Sequence, residues 1–147
     1  MHENLVSKAS SVLALLNVIH VTGIDRNQVE YVIDCAEEAC GDINQRGGGN
    51  FAKSAAEIAG LNNASGSDCR AFSAAPAHAM IEAAALVASG AYHTVVVTAG
   101  GCTAKLGMNG KDHVKKGRPA LEDMIGGFAV GITQDDGVNP FINLNML

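Results

Sequence analysis

Apolar and polar positions follow helical spacing in some segments of the chain and strand spacing in others. The first segment predicts an amphipathic helix that ends near Gly23. The apolar face of this helix is formed by Leu5, Ala9, Val12, Leu13, Leu16 and Ile19. A short strand is expected over 29–34. Asn50 is a favourable N-cap for a second helix over 51–59, which Gly60 ends.

The stretch 63–101 organises the rest of the chain, because it predicts a strand, a sharp turn, a helix and another strand in succession. The first strand covers 67–72, the turn falls at Ser73, the helix runs over about 74–89, and the next strand covers 93–98. Small side chains dominate this stretch, which suits close packing of helix and sheet layers.

The helix over 74–89 is apolar on every side except at His78 and Glu82, so we expect it to be buried on all faces. Ser73 then lies at a helix N-terminus inside the protein. Unpaired N–H groups and the positive end of the helix dipole favour a thiolate or an oxyanion at such a place. Serine is also a preferred N-cap, so a purely structural role for Ser73 stays open.

The element order predicts an α/β layered fold with a mainly parallel sheet. After the central stretch a long basic loop precedes a glycine-rich strand over 125–134. All 147 residues are expected to form one domain. A strand would be expected ahead of the first helix, and the last residues look interrupted. We therefore expect a piece of a larger protein, truncated at both ends.

The formal net charge of −5 argues against general nucleic-acid binding. Half of the basic residues nevertheless fall in one segment: Lys105, Lys111, Lys115, Lys116 and Arg118. This segment either receives phosphate or an acidic carrier protein, or it is a solvated face. No apolar run is both long and uncharged enough to cross a bilayer, and no secretory segment opens the chain, so a soluble protein is expected.

The cysteines of the chain are Cys35, Cys40, Cys69 and Cys102. They form no CxxC pair and do not alternate with histidine at zinc-finger spacing. This pattern favours free thiols in a reducing cytoplasm over disulfides or structural zinc. We expect neither a metal nor a cofactor.

Two segments resemble the nucleophile region of the thiolase superfamily, which includes the ketoacyl synthases. They are SDCRAFSAAP (67–76) and AAALVASGAYHTVVVTAGG (83–101), and the later IGGFAVGI resembles the glycine-rich strand that closes the first half of such enzymes. The resemblance implies a thiolase-like fold, of which this chain is the first of two similar halves. It also places Ser73 where the family carries its nucleophilic cysteine.

Longer motifs resemble a narrower family, the beta subunits of component C of glycine, sarcosine and betaine reductase complexes. They are CGDINQRGGGNFAKSAAEIAGL (40–61), AGGCTAKLGMNGKDHVKKG (99–117) and LEDMIGGFAV (121–130). This resemblance implies acyl transfer, in which a carboxymethyl group on a selenoprotein becomes an enzyme-bound acetyl thioester on the way to acetyl phosphate. The implied partners are a carrier selenoprotein, a phosphotransacetylase-like alpha subunit and a second copy of the chain.

Ser73 departs from the family pattern, because a serine hydroxyl is a far weaker nucleophile than a thiol unless a strong base is adjacent. The bases that the family supplies from its second half are absent here, so we expect this chain alone to be inactive. Two alternatives remain open. One is a condensing enzyme of the ketoacyl-synthase type, and the other is a non-catalytic scaffolding subunit with a replaced nucleophile.

Further residues are candidates for contact with the substrate. Cys69 is either an acyl-accepting thiol or a small core residue, and Arg70 either borders a partner's site or pairs with an acidic neighbour. His78 is either an oriented base or a satisfied core histidine. Cys102 follows two glycines at the carboxyl end of a strand, where α/β sheets tend to bind ligands. Cys35 and Cys40 are expected to be packing residues.

Overall fold

The computed structural model describes residues 2–36, 50–102, 110–118 and 125–143. The strands are β1 (Tyr31–Asp34), β2 (Ser65–Asp68), β3 (Thr94–Cys102) and β4 (Ile125–Thr133). The α-helices are α1 (His2–Thr22), α2 (Phe51–Ile58), α3 (Ala75–Ala88) and α4 (Gly110–Lys115), and short 3₁₀ helices cover Arg26–Gln28 and Phe72–Ala74.

The strands form one mixed sheet in the order β2-β1-β3-β4. Strand β1 pairs in parallel with both β2 and β3, while β4 runs antiparallel to β3. The expectation of an α/β layered fold with a mainly parallel sheet is confirmed.

Helices cover both faces of the sheet, and side chains alternate between the two layers. Val32 packs in the cluster that contains α1 and α2, whereas Ile33 and Cys35 pack in the cluster that contains α3. This alternation follows from the pleat of a strand, in which successive side chains point to opposite faces. Because Val95, Val96 and Val97 are also buried, β3 has both faces covered, as parallel sheets require.

Helix α1 turns a different face to the sheet from the one that its apolar pattern predicts. Leu5 and Leu13 are 60% and 65% exposed. The buried positions are Ser7, Ser10, Ser11, Val12, Leu15 and Ile19. Gly100 and Gly127 explain this arrangement, because a Cβ added at either position would collide with the α1 backbone around Ser7 or Ser10. Glycines in the sheet let the helix backbone approach closely, so small serines occupy the interface.

By length and composition alone, α1 is also apolar enough to span a membrane, contrary to the expectation from the sequence. The apolar window covers Leu5–Thr22 and contains a single Lys or Arg, Lys8. A core helix of a soluble protein passes the same test, and α1 buries Ser11 and Leu15 completely against the sheet. Only 28% of the window is buried, however, so packing against the sheet accounts for part of its apolar composition.

Helices α2 and α3 lie within one residue of their predicted bounds, but α3 is not buried on all faces. One stripe faces the sheet: Ala75, Ala79, Ala83, Ala84 and Val87. On the other side His78 and Glu82 are exposed, and Ile81 is 40% exposed. The expectation was wrong because alanine makes a helix apolar all round without creating side chains that must be covered.

Candidate functional site

An open cleft of about 370 Å³ lies at the carboxyl ends of β1 and β3, beside the start of α3. Its lining residues are Cys35, Ala36, Phe72, Ser73, Pro76, Ala99 and Gly100. Parallel strands of α/β proteins present their ligand sites at this edge of the sheet. The cleft thus combines the predicted position of Ser73 with residues from two strands that come from distant parts of the sequence.

The turn before α3 has a strained backbone at Phe72. Phe72 has a φ of 48°, the only positive φ of a non-glycine residue in the described part of the chain. It opens the 3₁₀ helix Phe72–Ala74, in which the Ala74 N–H donates to the carbonyl of Ala71 at 3.1 Å. Left-handed backbone is costly for a bulky residue and recurs at functional turns. The strain turns the chain abruptly at the residue before Ser73.

Ser73 is exposed, so the expectation of a serine buried inside the protein is wrong for this chain. Its interpretation as an ordinary N-cap is wrong too. The cap position of α3 is Ala74, that of the preceding 3₁₀ helix is Ala71, and neither end has a side-chain capping bond. Pro76, with no N–H of its own, falls in the first turn of α3. The N-terminus of α3 therefore opens into the cleft without a capping side chain.

The N-terminus of α2 is capped by two side chains. Asn50 accepts a hydrogen bond from the Lys53 N–H at 2.7 Å, as predicted for an N-cap. The carboxylate of Asp68, at the end of β2, accepts from the N–H groups of Phe51 and Ala52 at 3.0 and 2.9 Å. A carboxylate at this end of a helix also interacts favourably with the helix dipole.

Arg70 follows Asp68 and joins the ends of β1 and β2. Its Nη1 lies 2.8 Å from Asp34 Oδ1, 3.2 Å from the Asp34 carbonyl and 2.7 Å from the Ala36 carbonyl. Its Nη2 lies 3.1 Å from a carboxylate oxygen of Asp68, which makes an ion pair, but the N–H groups do not point at that oxygen well enough to form a hydrogen bond. The structure therefore shows Arg70 paired with acidic neighbours, one of the alternatives that the sequence left open.

Asp34 is the buried carboxylate at the centre of this network. Burial raises its pKa above the ordinary value, although the hydrogen bond and the charge of Arg70 act in the opposite direction. Ser11 of α1 donates to Asp34 Oδ2 at 3.0 Å, and the Ala36 N–H donates to Oδ1 at 3.1 Å. Ser11 also contacts the Thr98 hydroxyl at 3.3 Å, so the network reaches from α1 through β1 to β3.

The thiols beside the cleft are protonated at neutral pH. Burial, with a smaller contribution from the negative charge of Asp34, raises the pKa of Cys35 to about 11. Burial also raises the pKa of Cys69. The Cys35 thiol donates to the Thr98 carbonyl at 3.4 Å, and that of Cys69 to the Ala75 carbonyl at 3.8 Å. A thiol with a raised pKa is a poor nucleophile, so neither is activated in this arrangement.

The other predicted site residues lie around the cleft and do not line it. Cys69 and Arg70 are half-buried behind the turn, and His78 is exposed on α3. The backbone of Cys102 ends β3 opposite Ile125, while its side chain lies outside the described residues. In the basic segment, Lys115, Lys116 and Arg118 are exposed on and after α4, whereas Lys105 and the side chain of Lys111 are outside the described residues. Cys40 lies outside them as well.

Sequence reasoning missed Cys35 and Ala36 as lining residues, and Asp34 and Asp68 as the acids that hold Arg70. One signal was available for Asp34, because an aspartate closes the apolar strand YVID. A charge at that place needs a buried partner. No comparable signal marks Ala36, which reaches the cleft only because β1 and β3 pair.

The cleft lacks an activating base among the residues that line it. Cys35 is the only ionisable side chain in the lining, and no imidazole or carboxylate is part of it. Within the described ranges, no group of three or more His, Cys, Asp or Glu side chains is placed to hold a metal ion. The arrangement offers a hydroxyl at an uncapped helix N-terminus, where a developing oxyanion is stabilised.

Comparisons with known proteins agree with this geometry. The chain superposes on a crystal structure of a Xanthomonas campestris OleA variant with a TM-score of 0.68 and 16% identity. The match covers 90% of this chain and 40% of the OleA chain. The priming beta-ketosynthase of the R1128 polyketide pathway matches over 60% of this chain and 25% of its own, with a TM-score of 0.52 and 25% identity. The fold is thiolase-like.

The thiolase-like chain is also similar in sequence to a curated protein. The "Glycine/sarcosine/betaine reductase complex component C subunit beta" of Peptoclostridium acidaminophilum is 60% identical over 147 residues. That match covers 100% of this chain and 29% of the relative. No family model matches the chain. The resemblance inferred from the motifs is therefore confirmed, and the chain spans less than a third of the relative's length.

Proposed function

We propose that this thiolase-like chain forms the acyl-holding site of a component C-type acetyl-transfer subunit. In the proposed reaction the Se–C bond of a carboxymethyl group on a carrier selenoprotein breaks, and the group becomes an enzyme-bound acetyl group on the way to acetyl phosphate. The electrons come from the carrier, whose selenium and a thiol are oxidised to a selenenyl sulfide, and water is released. A phosphotransacetylase-like alpha subunit then receives the acetyl group. The 60% identity to a component C subunit beta supports this assignment.

One structural observation carries the proposal: Ser73 lines the cleft at the uncapped N-terminus of α3. The positive end of the helix dipole stabilises the oxyanion that forms when an acyl carbonyl is attacked. The Ala74 and Ala75 N–H groups are themselves bonded to the carbonyls of Ala71 and Phe72, so the dipole supplies this effect. The geometry fits a thiol at this place, which would hold the acetyl group as a thioester. With Ser73 the corresponding covalent bond is an oxygen ester, which needs a base from outside the lining residues.

A cysteine placed at position 73 tests the electrostatics of the site. In the intact protein as its gene encodes it, we expect Ser73→Cys to create a thiol that iodoacetamide alkylates at about pH 6, because a helix N-terminus depresses a thiol pKa. Ser89→Cys is the matched control, since Ser89 is exposed at the C-terminal end of the same helix. The helix dipole acts on that thiol with the opposite sign.

The measurement is the pH dependence of alkylation at each engineered thiol, followed by peptide mass spectrometry. A lower pH midpoint for Ser73→Cys than for Ser89→Cys supports the acyl-holding site. Equal midpoints would contradict it. Incubation with acetyl phosphate and the alpha subunit then tests acyl transfer itself, with an acetyl adduct on residue 73 as the expected product.

A second candidate function is a scaffolding subunit with a replaced nucleophile. The observation that favours it is the serine itself, in a lining without imidazole or carboxylate. This candidate predicts that the unaltered protein binds the alpha subunit and the carrier selenoprotein but acquires no acetyl adduct at Ser73. Acetylation of Ser73 in the assembled complex would exclude it.

We also propose that two copies of the chain pair through β2. Strand β2 is at the edge of the sheet and is partly exposed. An unpaired strand edge is a template for pairing with another chain. Sedimentation should therefore give twice the monomer mass, and Gly66→Pro should reduce it to the monomer mass. Gly66 also packs against Val32 and Ala52, so a second variant is needed in case Gly66→Pro does not fold. Ser65→Lys serves this purpose, because it adds a repelling charge at the exposed end of the strand.

A further inference from the structure

Arg70 is the side chain that joins the ends of β1 and β2 where their backbone pairing stops. The register of the two strands ends at the pair Asp34 and Asp68, followed by one bond from the Cys69 N–H to the Asp34 carbonyl at 2.9 Å. Beyond this point Arg70 Nη1 contacts the Asp34 and Ala36 carbonyls at 3.2 and 2.7 Å. The guanidinium thus links the two chain segments beyond the point where the backbone hydrogen bonds between β1 and β2 end.

The two segments that Arg70 joins both contribute to the cleft. Ala36, whose carbonyl accepts from Arg70, is one of its lining residues. Ser73, three residues after Arg70 along the chain, is another. Arg70 itself does not line the cleft, and its side chain is 25% exposed. It therefore reaches the cleft only through residues that it holds.

Nη1 makes the hydrogen bonds of the guanidinium, and Nη2 adds an ion pair without a hydrogen bond. Asp34 binds Nη1 at 2.8 Å, Asp68 lies 3.1 Å from Nη2, and the ring of Phe51 lies 5.9 Å from the guanidinium carbon. Asp68 in turn is held by the first N–H groups of α2. A planar fork can bind two carboxylates and two carbonyls at once, which the single ammonium of a lysine cannot do with the same geometry.

We propose that Arg70 is a positioning residue, which holds Ala36 in the cleft lining at a fixed distance from the turn that carries Ser73. The inference deepens the proposed function, because it assigns to Arg70 the alignment of the acyl-holding site instead of contact with the substrate. Displacements of about 1 Å at a reacting centre cost up to about a hundredfold in rate, so a rigid lining matters for reactivity.

The test uses Ser73→Cys as the reporter in the intact protein. Alkylation of this thiol by iodoacetamide is followed across pH in the reporter alone and combined with Arg70→Lys, Arg70→Gln or Lys53→Gln. Lys53 is the matched control, because its ammonium also contacts a carbonyl, that of Ala64 at 2.8 Å, and a carboxylate, that of Glu57 at 3.8 Å. Unlike Ala36, neither of these partners lines the cleft. Urea midpoints are measured in parallel.

We expect Arg70→Gln to lower the alkylation rate at residue 73 about tenfold and to raise its pH midpoint. Arg70→Lys should lower the rate nearly as much, because it keeps the positive charge but loses the fork. Lys53→Gln should leave both quantities unchanged. A full rate in Arg70→Lys would show that only the charge matters, and would overturn the inference.

Two other outcomes are separated by the same data. If Arg70→Lys lowers the urea midpoint but leaves the rate and the pH midpoint at residue 73 unchanged, Arg70 is merely structural and the inference fails. If the reporter alone titrates like Ser89→Cys, the proposed acyl-holding site fails, irrespective of Arg70.

Discussion

Helices α2 and α3 both begin at the carboxyl ends of the parallel strands, but their N-termini differ in side-chain capping. At the start of α2, Asn50 and Asp68 accept hydrogen bonds from the N–H groups of residues 51–53. At the start of α3 no side chain caps the helix, and Ser73 opens into a cleft. The N–H groups at the start of α2 are therefore bonded by side chains. Before α3 the Ala74 and Ala75 N–H groups instead donate to the carbonyls of Ala71 and Phe72 in the 3₁₀ turn, so no side chain occupies the positive end of the helix dipole there.

The comparison extends to the backbone that leads into each helix. Asn50 enters α2 with ordinary extended dihedral angles, whereas Phe72 enters the turn before α3 with a φ of 48°. The strain at Phe72 and the missing side-chain cap support the proposed site at α3, because a protein retains such costs only where the surrounding structure fixes them. Arg70 supplies part of that fixation, and through Asp68 it connects the two helix starts.

The largest expected effect comes from Asp68→Asn, which breaks the capped end. The change leaves an amide nitrogen facing either an N–H group of α2 or the guanidinium of Arg70. We expect the free energy of unfolding to fall by about 3 kcal/mol, since a partly buried charge pair and two capping bonds are disturbed. Urea unfolding measures the loss.

Glu57→Gln is the control for Asp68→Asn. Glu57 is 63% exposed and lies 3.8 Å from Lys53, so its removal should change the free energy of unfolding by at most about 0.5 kcal/mol. Equal effects of the two substitutions would contradict a special role for the Asp68 cap.

A smaller loss is expected from Asn50→Ala, which removes the side-chain cap but leaves Asp68 in place. The Lys53 N–H and the Gly66 carbonyl both lose their contact with Asn50. We expect a loss of about 1 kcal/mol in urea unfolding, the usual cost of removing a cap. Asn50→Ser keeps a hydrogen-bond acceptor, so it should lower the free energy of unfolding by only a few tenths of a kcal/mol. A full loss in Asn50→Ser would show that the bond to Gly66 dominates.

Much of the fold could be predicted from the sequence, because local signals coincide with the structure. Asn50 caps α2 as expected, and helix α3 lies one residue inside its predicted bounds at each end. The strand over 125–134 is also present, as β4. In each case a cap, a glycine or a periodic apolar pattern marks the element within a few residues.

Contacts between distant segments could not be predicted in this way. The face that α1 turns to the sheet depends on Gly100 and Gly127, which lie far along the chain and admit serines in place of leucines. The position of Ala36 in the cleft depends on the pairing of β1 with β3. The sequence did predict the sharp turn before α3, but neither the exposure of Ser73 nor the contacts of Arg70 with Asp34 and Asp68.

Phe72→Gly tests the strained entry to α3. Glycine adopts a positive φ without steric cost, and the Phe72 side chain is 79% exposed, so little burial is lost. We expect the free energy of unfolding to rise by about 1 kcal/mol, measured with urea. Ala71→Gly is the control, because Ala71 has a φ of −146° and gains nothing from glycine. A loss of stability in Phe72→Gly would show that its side chain packs in the cleft.

The smallest effect concerns the Cys35 thiol and appears only in alkaline solution. The folded pKa of about 11 lies above the ordinary value of 9.0, so the unfolded thiol ionises first as the pH rises. The stability that this thiol contributes is therefore complete below about pH 9 and is lost between about pH 9 and pH 11. Urea midpoints of the unaltered protein and of Cys35→Ala should diverge only in that window. Because the two proteins differ only at this residue, the difference between their curves isolates Cys35. Parallel curves throughout would show that folding does not raise the pKa of Cys35, and would contradict its description as an inactive thiol beside the cleft.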